Sequence, residues 1–498
     1  MDVGEQLKED LRTGRIDANR LVDWLLTLQR ELQAAKQRIA ELEKQLAGSS
    51  TPKVDEPFSL RAEEKRQEAR GKKKRNAKDK GRRGRFTTAD KVAQAERSED
   101  VVPDGMPKSE CHLSHTRPVW RLEDNRAVLI AYRIYRGPNN QYGKIPGVLG
   151  RSEFGLEIIV EIAHLVYIVG LSFDKVGLVL SFFQNLKLGK SQVDALLHRL
   201  ARHWQSEFDV LCTLLANSLV VHADETSWSL RSVWAFLSEK ARLLFFGVHK
   251  DADTLKQILD PATFAGIVIS DDAAVYANFT QTQKCWAHLL RKAIKLTLQE
   301  PANREYRQFT DQLLEIYHTA CRVQSDGRLG DAGRDRKVAE LDDAIFELCC
   351  PMWAEDLPPL EGPDNDYRLL VNEVMRLMLA KELFTFVTAK PVVQPNGETQ
   401  PIGGTNNEAE RTLRAPAEAR KTGRTNKTLA GARRQTILTS VLQSLRLYLP
   451  TFTLASVIVE VNRWVETGRS CFTKFLKKLK LQQPAQSVLD RILPQPSG

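Results

Sequence analysis

The sequence is poor in the features that mark a membrane or secreted protein. It has no run of about 18 uncharged apolar residues; the best stretch, Leu156 to Leu171, is interrupted by Glu157, Glu161 and His164. The first residues, Met-Asp-Val-Gly-Glu, lack the basic and apolar regions of a signal peptide, so a cytoplasmic protein without a membrane span is expected. Cysteine is scarce: seven residues among 498, and no Cys-x-x-Cys pair. A scattered, odd set fits a reducing compartment rather than a disulfide framework. Cys111 with His112 and His115 contains one cysteine, and Cys285-x-x-His288 is a single pair. Tetrahedral structural zinc needs four ligands, so zinc is not expected at either place.

Acidic residues are nearly missing from one tract. Lys65 to Arg85 holds twelve Lys and Arg against Glu68 and Asp79, which accounts for the whole net charge of +10. Such a segment is expected to be disordered alone and to contact phosphates non-specifically, with affinity that falls as salt rises. Ahead of it, Leu21, Leu25, Leu28, Leu32, Ala35, Ile39, Leu42 and Leu46 form an a/d seam. Sustained over about three and a half heptads, that seam predicts a coiled coil and a homo-oligomer. Between Leu156 and Trp204 the spacing is helical, with Ser172 and Ser191 as N-caps. Two helices joined by a short Gly-containing turn fit a helix-turn-helix that would turn Lys190, Gln192, His198 and Arg199 toward DNA.

From Ser218 to Lys292 the pattern changes to strands. The run Leu219-Val220-Val221 leads into His222-Ala223-Asp224; strands follow at Ser232 to Ser238 and Arg242 to Val248. A helix over Asp253 to Leu259, a strand Gly266 to Ser270 ending in Asp271-Asp272, and a short strand Lys284 to Trp286 complete the set. This order predicts a mixed-sheet α/β core, with Asp224 and Asp271 at strand ends near the sheet centre. Residues 301–399 show helical faces, such as Tyr306, Phe309, Leu313 and Ile316, and form a helical insertion. Pro391 to Gly404 returns the chain to the core, and Asn406 is a natural N-cap for a helix bearing Glu408 and Glu410. The divisions expected are a coiled-coil helix (1–48), a disordered basic linker (49–105) and a small irregular segment (106–150). A helix-turn-helix-like region (151–210) precedes a core of 211–300 with 400–450, and 451–498 is a C-terminal helix with a basic, loosely packed tail.

His-Ala-Asp-Glu-Thr-Ser-Trp (222–228), Ile-Ser-Asp-Asp-Ala-Ala-Val-Tyr (269–276), Cys-Trp-Ala-His-Leu-Leu-Arg-Lys (285–292) and Gly-Thr-Asn-Asn-Glu-Ala-Glu-Arg-Thr-Leu-Arg (404–414) occur in that order. Together they resemble the catalytic blocks of insertion-sequence-66 family transposases. The resemblance implies an RNase H-like fold and an Asp-Asp-Glu triad for DNA strand cleavage and strand transfer. It selects Asp224 over Glu225, which points to the other face of a strand, and Asp271 over Asp272. It also selects Glu410 over Glu408, which lies roughly 200° away on a helix. Two Mg²⁺ or Mn²⁺ ions would then sit at these carboxylates. The resemblance further implies DNA partners (element ends and target), small accessory proteins encoded by the same element, and nucleoid association. The Cys-rich zinc segment common in such proteins has only Cys111 here, a degenerate remnant. Trp228 and Trp286 either stack on an unpaired base or pack in the core. His288, Arg291, Lys292, Arg411, Arg414, Lys421, Arg424 and Lys427 are candidates for holding phosphates. A metal-dependent nuclease without strand transfer and a non-catalytic DNA-binding protein are the rival readings.

Overall fold

The computed structural model describes residues 12–14, 26–27, 29–38, 87–353, 361–483 and 486–493. It separates into two units, residues 1–83 and 84–498. In the first, residues 26–27 and 29–38 are helical and exposed; the remainder of the expected heptad helix and the basic tract Lys65 to Arg85 lie outside the described residues. No helix among the described residues is long and apolar enough to cross a membrane.

The second unit begins with structure where the sequence suggested linker and irregular chain. Helix α1 (Thr88–Ala93) starts at a Thr87–Asp90 capping box. Strands β1 (Arg97–Val101), β2 (His112–Glu123) and β3 (Arg126–Arg136) form a sheet in the order β1-β3-β2. The β2–β3 turn places Asp124 and Asn125 at φ 46° and 60°, the left-handed pair that a two-residue hairpin needs. Val119, Val128, Ile130, Tyr132 and Ile134 make its core. The expected boundaries 49–105 and 106–150 are therefore corrected: order already holds at Thr87, and the second segment is mostly sheet.

Helices α2 (Leu156–Tyr167), α3 (Phe173–Gln184) and α4 (Lys190–Ala216) follow. Ser172 caps α3 as expected, whereas Gly189, not Ser191, stands at the start of α4. The 27 residues of α4 bury Val193, Leu197, Leu200, Trp204, Phe208, Leu211 and Leu215 in the same cluster as the main sheet. Residues 151–210 thus share the core of the main sheet, because α4 carries apolar residues along its whole length.

The main sheet contains β4 (Val220–Ser227), β5 (Ser232–Ser238), β6 (Arg242–Val248), β7 (Ile267–Ser270) and β8 (Thr282–Lys284), with helix α5 (Ala252–Ile258) between β6 and β7. Strand order is β6-β5-β4-β7-β8. β4 is antiparallel to β5 and β5 to β6, while β4–β7 and β7–β8 are parallel. Helix α6 (Trp286–Gln299) follows β8 and opens two residues earlier than the sequence suggested. The insertion is α7 (Arg304–Ser325), α8 (Asp331–Cys349), α9 (Gly362–Leu379) and the short α10 (Thr385–Thr388), with a hairpin of β9 (Val392–Val393) and β10 (Thr399–Gln400) on the return. Val220, Ile267 and Ile269 join the insertion's core on one sheet face, while Val221 and Val268 join the α4 cluster on the other. Such alternation is the two-residue period of a strand buried on both sides.

Helix α11 (Asn407–Lys421) leads to α12 (Leu429–Tyr448), which covers the outer edge of the sheet. Hydroxyls of Thr436, Ser440 and Ser444 accept from the backbone N–H groups of Phe246, Leu244 and Arg242 at 3.0, 3.0 and 2.9 Å. A helix with acceptors every four residues thereby satisfies an edge strand with donors every two. Helices α13 (Leu454–Thr467), α14 (Cys471–Lys478) and α15 (Val488–Ile492) end the described chain. Phe472, Leu476, Leu489 and Leu493 are buried, so the segment expected to be a loose basic tail is docked on the core through the apolar residues between its lysines.

Candidate active site

Asp224 lies on β4 just past the end of that strand's pairing with β7. In the parallel register His222 faces Ile269; continued two residues, it sets Asp224 beside Asp271, with neighbouring strands about 4.8 Å apart. Asp271 begins the loop after β7, where its Oδ1 accepts from the Ala273 N–H at 3.1 Å. Burial pushes the Asp224 carboxyl up to about 7, and the charges of Glu225, Asp271 and Glu410 add to the rise against a backbone hydrogen bond from Glu225. Asp271 of the β7 loop and Glu410 of α11 thus both lie within electrostatic reach of Asp224 on β4.

Their neighbours are turned elsewhere, as side-chain directions require. Glu225 accepts from the Tyr276 hydroxyl at 2.5 Å and pairs with Lys250 at 2.7 Å. Asp272 pairs with Arg376 of α9, and Glu408 with Arg242. Glu410, in the first turn of α11, accepts both bonds from Arg291 Nη2, at 2.7 and 2.9 Å. His288 Nδ1 lies 3.7 Å from the same carboxylate. Cys285 Sγ, a His288 nitrogen and a Glu410 oxygen lie within 4.8 Å of one another. The thiol is already an acceptor for the Asn406 N–H at 3.1 Å, and burial raises its pKa.

A cavity of about 690 Å³ opens beside Asp271, between the sheet end and α9. His288, Lys284 and Lys292 line one wall, and Asn372, Glu373 and Arg376 the other. Lys292 pairs across it with Glu373 at 2.5 Å. Arg414, Lys421 and Lys427 are exposed and form no ion pair among the described residues. Arg411 is exposed too, its Nε donating to Asn407 O at 3.3 Å.

Several residues expected to contact DNA have partners within the protein. Trp286 is fully buried, its indole N–H donates to Leu383 O at 2.7 Å, and its ring packs on Tyr317 and Phe384. Trp228 is buried against Phe246. Neither ring can stack on a base while these contacts hold, so both belong to the core. Arg424 Nη1 donates to Gly170 O, which ties the end of α11 to the α2–α3 loop. Gln192 folds back, its amide oxygen accepting from the Gly189 N–H at 3.0 Å, and Lys190 pairs with Asp174 at 2.7 Å. Asn406 is not a side-chain cap; its amide N–H₂ donates to Ala223 O at 2.8 Å. Sequence reasoning missed Lys284, Arg376 and this role of Asn406. Only the position of Asn406 inside the Gly-Thr-Asn-Asn block could have signalled it.

No curated protein matches this chain. The model of the transposase IS66 family matches residues 151–434, a span that holds the main sheet, the insertion and all three acids. With more than half of the sequence matched, the chain belongs to the transposase IS66 family.

Proposed function

We propose that this transposase cuts and joins DNA with Asp224, Asp271 and Glu410 as the metal-binding triad of an RNase H-like core. The sheet order supports that core: a three-stranded antiparallel meander whose first strand is central and is extended by two parallel strands. The observation that carries the reading is the place of Asp224 at the end of the β4–β7 pairing, desolvated and within reach of the carboxylates of Glu225, Asp271 and Glu410. Buried like charges without full compensation call for a cation, and an all-oxygen donor set suits Mg²⁺ or Mn²⁺. Asp224, Asp271 and Glu410 would hold such ions, which would supply activation of the nucleophile and relief of charge on the leaving oxygen.

The chain's own residues then have distinct tasks. Asp224 and Asp271, fixed by strand register, set where the scissile phosphate must lie. Glu410 exchanges Arg291 for the site, and the freed guanidinium takes a DNA phosphate. Arg411, Arg414, Lys421 and Lys427 supply further phosphate contacts, and the expected coiled coil would bring two copies to the two element ends. In the first reaction a water oxygen attacks phosphorus and the P–O3′ bond breaks, leaving a 3′-hydroxyl and a 5′-phosphate. In the second, that hydroxyl attacks a target phosphorus and displaces a target 3′-oxygen.

The test is purified full-length protein with Mn²⁺ and end-labelled DNA from the flanks of its own coding region. Joined product is expected. Cut but unjoined product would reduce the protein to a nuclease, and binding alone would make it a non-catalytic DNA-binding protein. Cleavage by Asp224→Asn or Glu410→Gln at the parental rate would overturn the triad.

A further inference from the structure

The three acids come from segments far apart in sequence, and one buried junction touches the neighbour of each. Asn406 is 1 % exposed and Cys285 2 %. The Cys285 N–H donates to Ser270 O at 2.9 Å, immediately before Asp271. Cys285 Sγ accepts from the Asn406 N–H. The Asn406 side chain donates to Ala223 O, immediately before Asp224, and the Asn406 carbonyl accepts from the Glu410 N–H at 3.2 Å. Next to the junction, Trp286 N–H donates to Gly404 O at 3.0 Å. A Cβ on Gly404 would stand 2.9 Å from the Phe386 ring, so glycine lets the returning loop lie this close.

From this geometry we propose that Asn406 and Cys285 are positioning residues that hold the three triad segments in register, and that Cys285 is not a metal ligand. This rests on the triad reading above. Apart from the junction, α11 is tied to β4 at its far end, where Arg420 Nη1 donates to Ser227 O at 2.8 Å. At the triad end, after a return path that follows the whole insertion, the junction supplies the hydrogen bonds to β4 and to the end of β7. A buried hydrogen bond defines position along a strand, whereas apolar packing tolerates a slide. Metal-site partners of this indirect kind change affinity by about 10–100-fold when removed.

The experiment compares the full-length parent with Asn406→Asp, Cys285→Ala and Cys285→Ser. Asn406→Asp keeps the shape but removes the N–H donor to Ala223 O. Cys285→Ser keeps an acceptor for the Asn406 N–H, and Cys285→Ala does not. Three readouts are taken: metal-free thermal unfolding, DNA affinity without divalent metal, and Mn²⁺ affinity from the electron paramagnetic resonance of free Mn²⁺. Asn406→Asp and Cys285→Ala are expected to weaken Mn²⁺ binding about tenfold while leaving DNA affinity within about twofold; Cys285→Ser should restore most of the loss. A general folding defect would instead lower the unfolding midpoint and DNA affinity together, and that outcome in both Asn406→Asp and Cys285→Ala overturns the proposal. Parental Mn²⁺ affinity in the folded variants also overturns it. So does tight Zn²⁺ binding that Cys285→Ser abolishes, since Cys285 would then be a ligand. A parent that binds Mn²⁺ and responds to the variants but never cuts DNA loses the catalytic reading alone; a parent that takes up no Mn²⁺ loses both.

Discussion

Arg291 and Glu410 form a two-bond ion pair across the candidate active site, one guanidinium nitrogen reaching both carboxylate oxygens at 2.7 and 2.9 Å. The pair competes with any cation for Glu410. Arg291→Ala is therefore expected to tighten Mn²⁺ binding in the absence of DNA. It should also weaken DNA binding and reduce the slope of log K against log salt by about 0.9, the contribution of one duplex phosphate contact. Unchanged Mn²⁺ affinity would show that the pair imposes no barrier.

Glu408 and Glu410 provide an internal control, because they sit in the same turn of α11 and face different partners. Glu410→Gln is expected to abolish cleavage, since a neutral amide cannot replace an anionic ligand. Glu408→Gln loses its half-exposed pair with Arg242 and should cut DNA at near the parental rate, with stability lowered by about 0–1 kcal/mol. Rates of single-turnover cleavage decide between them.

Trp286 separates a core role from a base-stacking role. Trp286→Ala is expected to destabilise the protein by about 3–5 kcal/mol, visible as a large loss in thermal or denaturant midpoint. Trp286→Phe keeps most of the packing but loses the indole bond to Leu383 O, so its midpoint should fall between alanine and parent. Should Trp286→Ala keep the parental midpoint but lose affinity for single-stranded DNA, the ring would have to leave its pocket in the complex.

Glu207 and Asp209 on α4 hold the C-terminal helices, accepting from the Ser470 and Ser487 hydroxyls. Burial raises both carboxyls above their ordinary values, with those hydroxyl bonds opposing. A raised folded-state value means the native protein holds the proton more tightly than the unfolded chain. The stabilisation is complete below the ordinary carboxylate range and is lost as pH rises through the raised values. Thermal midpoints should fall over that window in the parent, and less steeply in Glu207→Gln, which keeps the neutral form's shape.

Ser440 tests the capped edge of β6. Ser440→Ala would leave the buried Leu244 N–H without its 3.0 Å acceptor, at a cost of roughly 1–3 kcal/mol. Parental stability by denaturant titration would show that another acceptor replaces it.

Sequence alone was enough for the local decisions. Apolar runs with a two-residue period set β4 to β7, and helical spacing after His288 set the insertion. Strand and helix periodicity set Asp224 apart from Glu225 and Glu408 apart from Glu410 on different faces, while the choice of Asp224 and Glu410 came from the family resemblance. Those properties depend on neighbours a few positions away, which a single chain displays directly. The hairpin at Asp124–Asn125 was legible in principle too, as a two-residue left-handed turn between apolar runs. Other matters belonged to the tertiary structure: the burial of Trp228 and Trp286, the capture of Arg424 by Gly170, the docking of α14 and α15, and the junction of Asn406 with Cys285 and Ala223. Each depends on a partner a dozen to more than two hundred residues away, and which distant surfaces meet is decided by total packing and hydrogen-bond satisfaction, to which no local pattern is a guide.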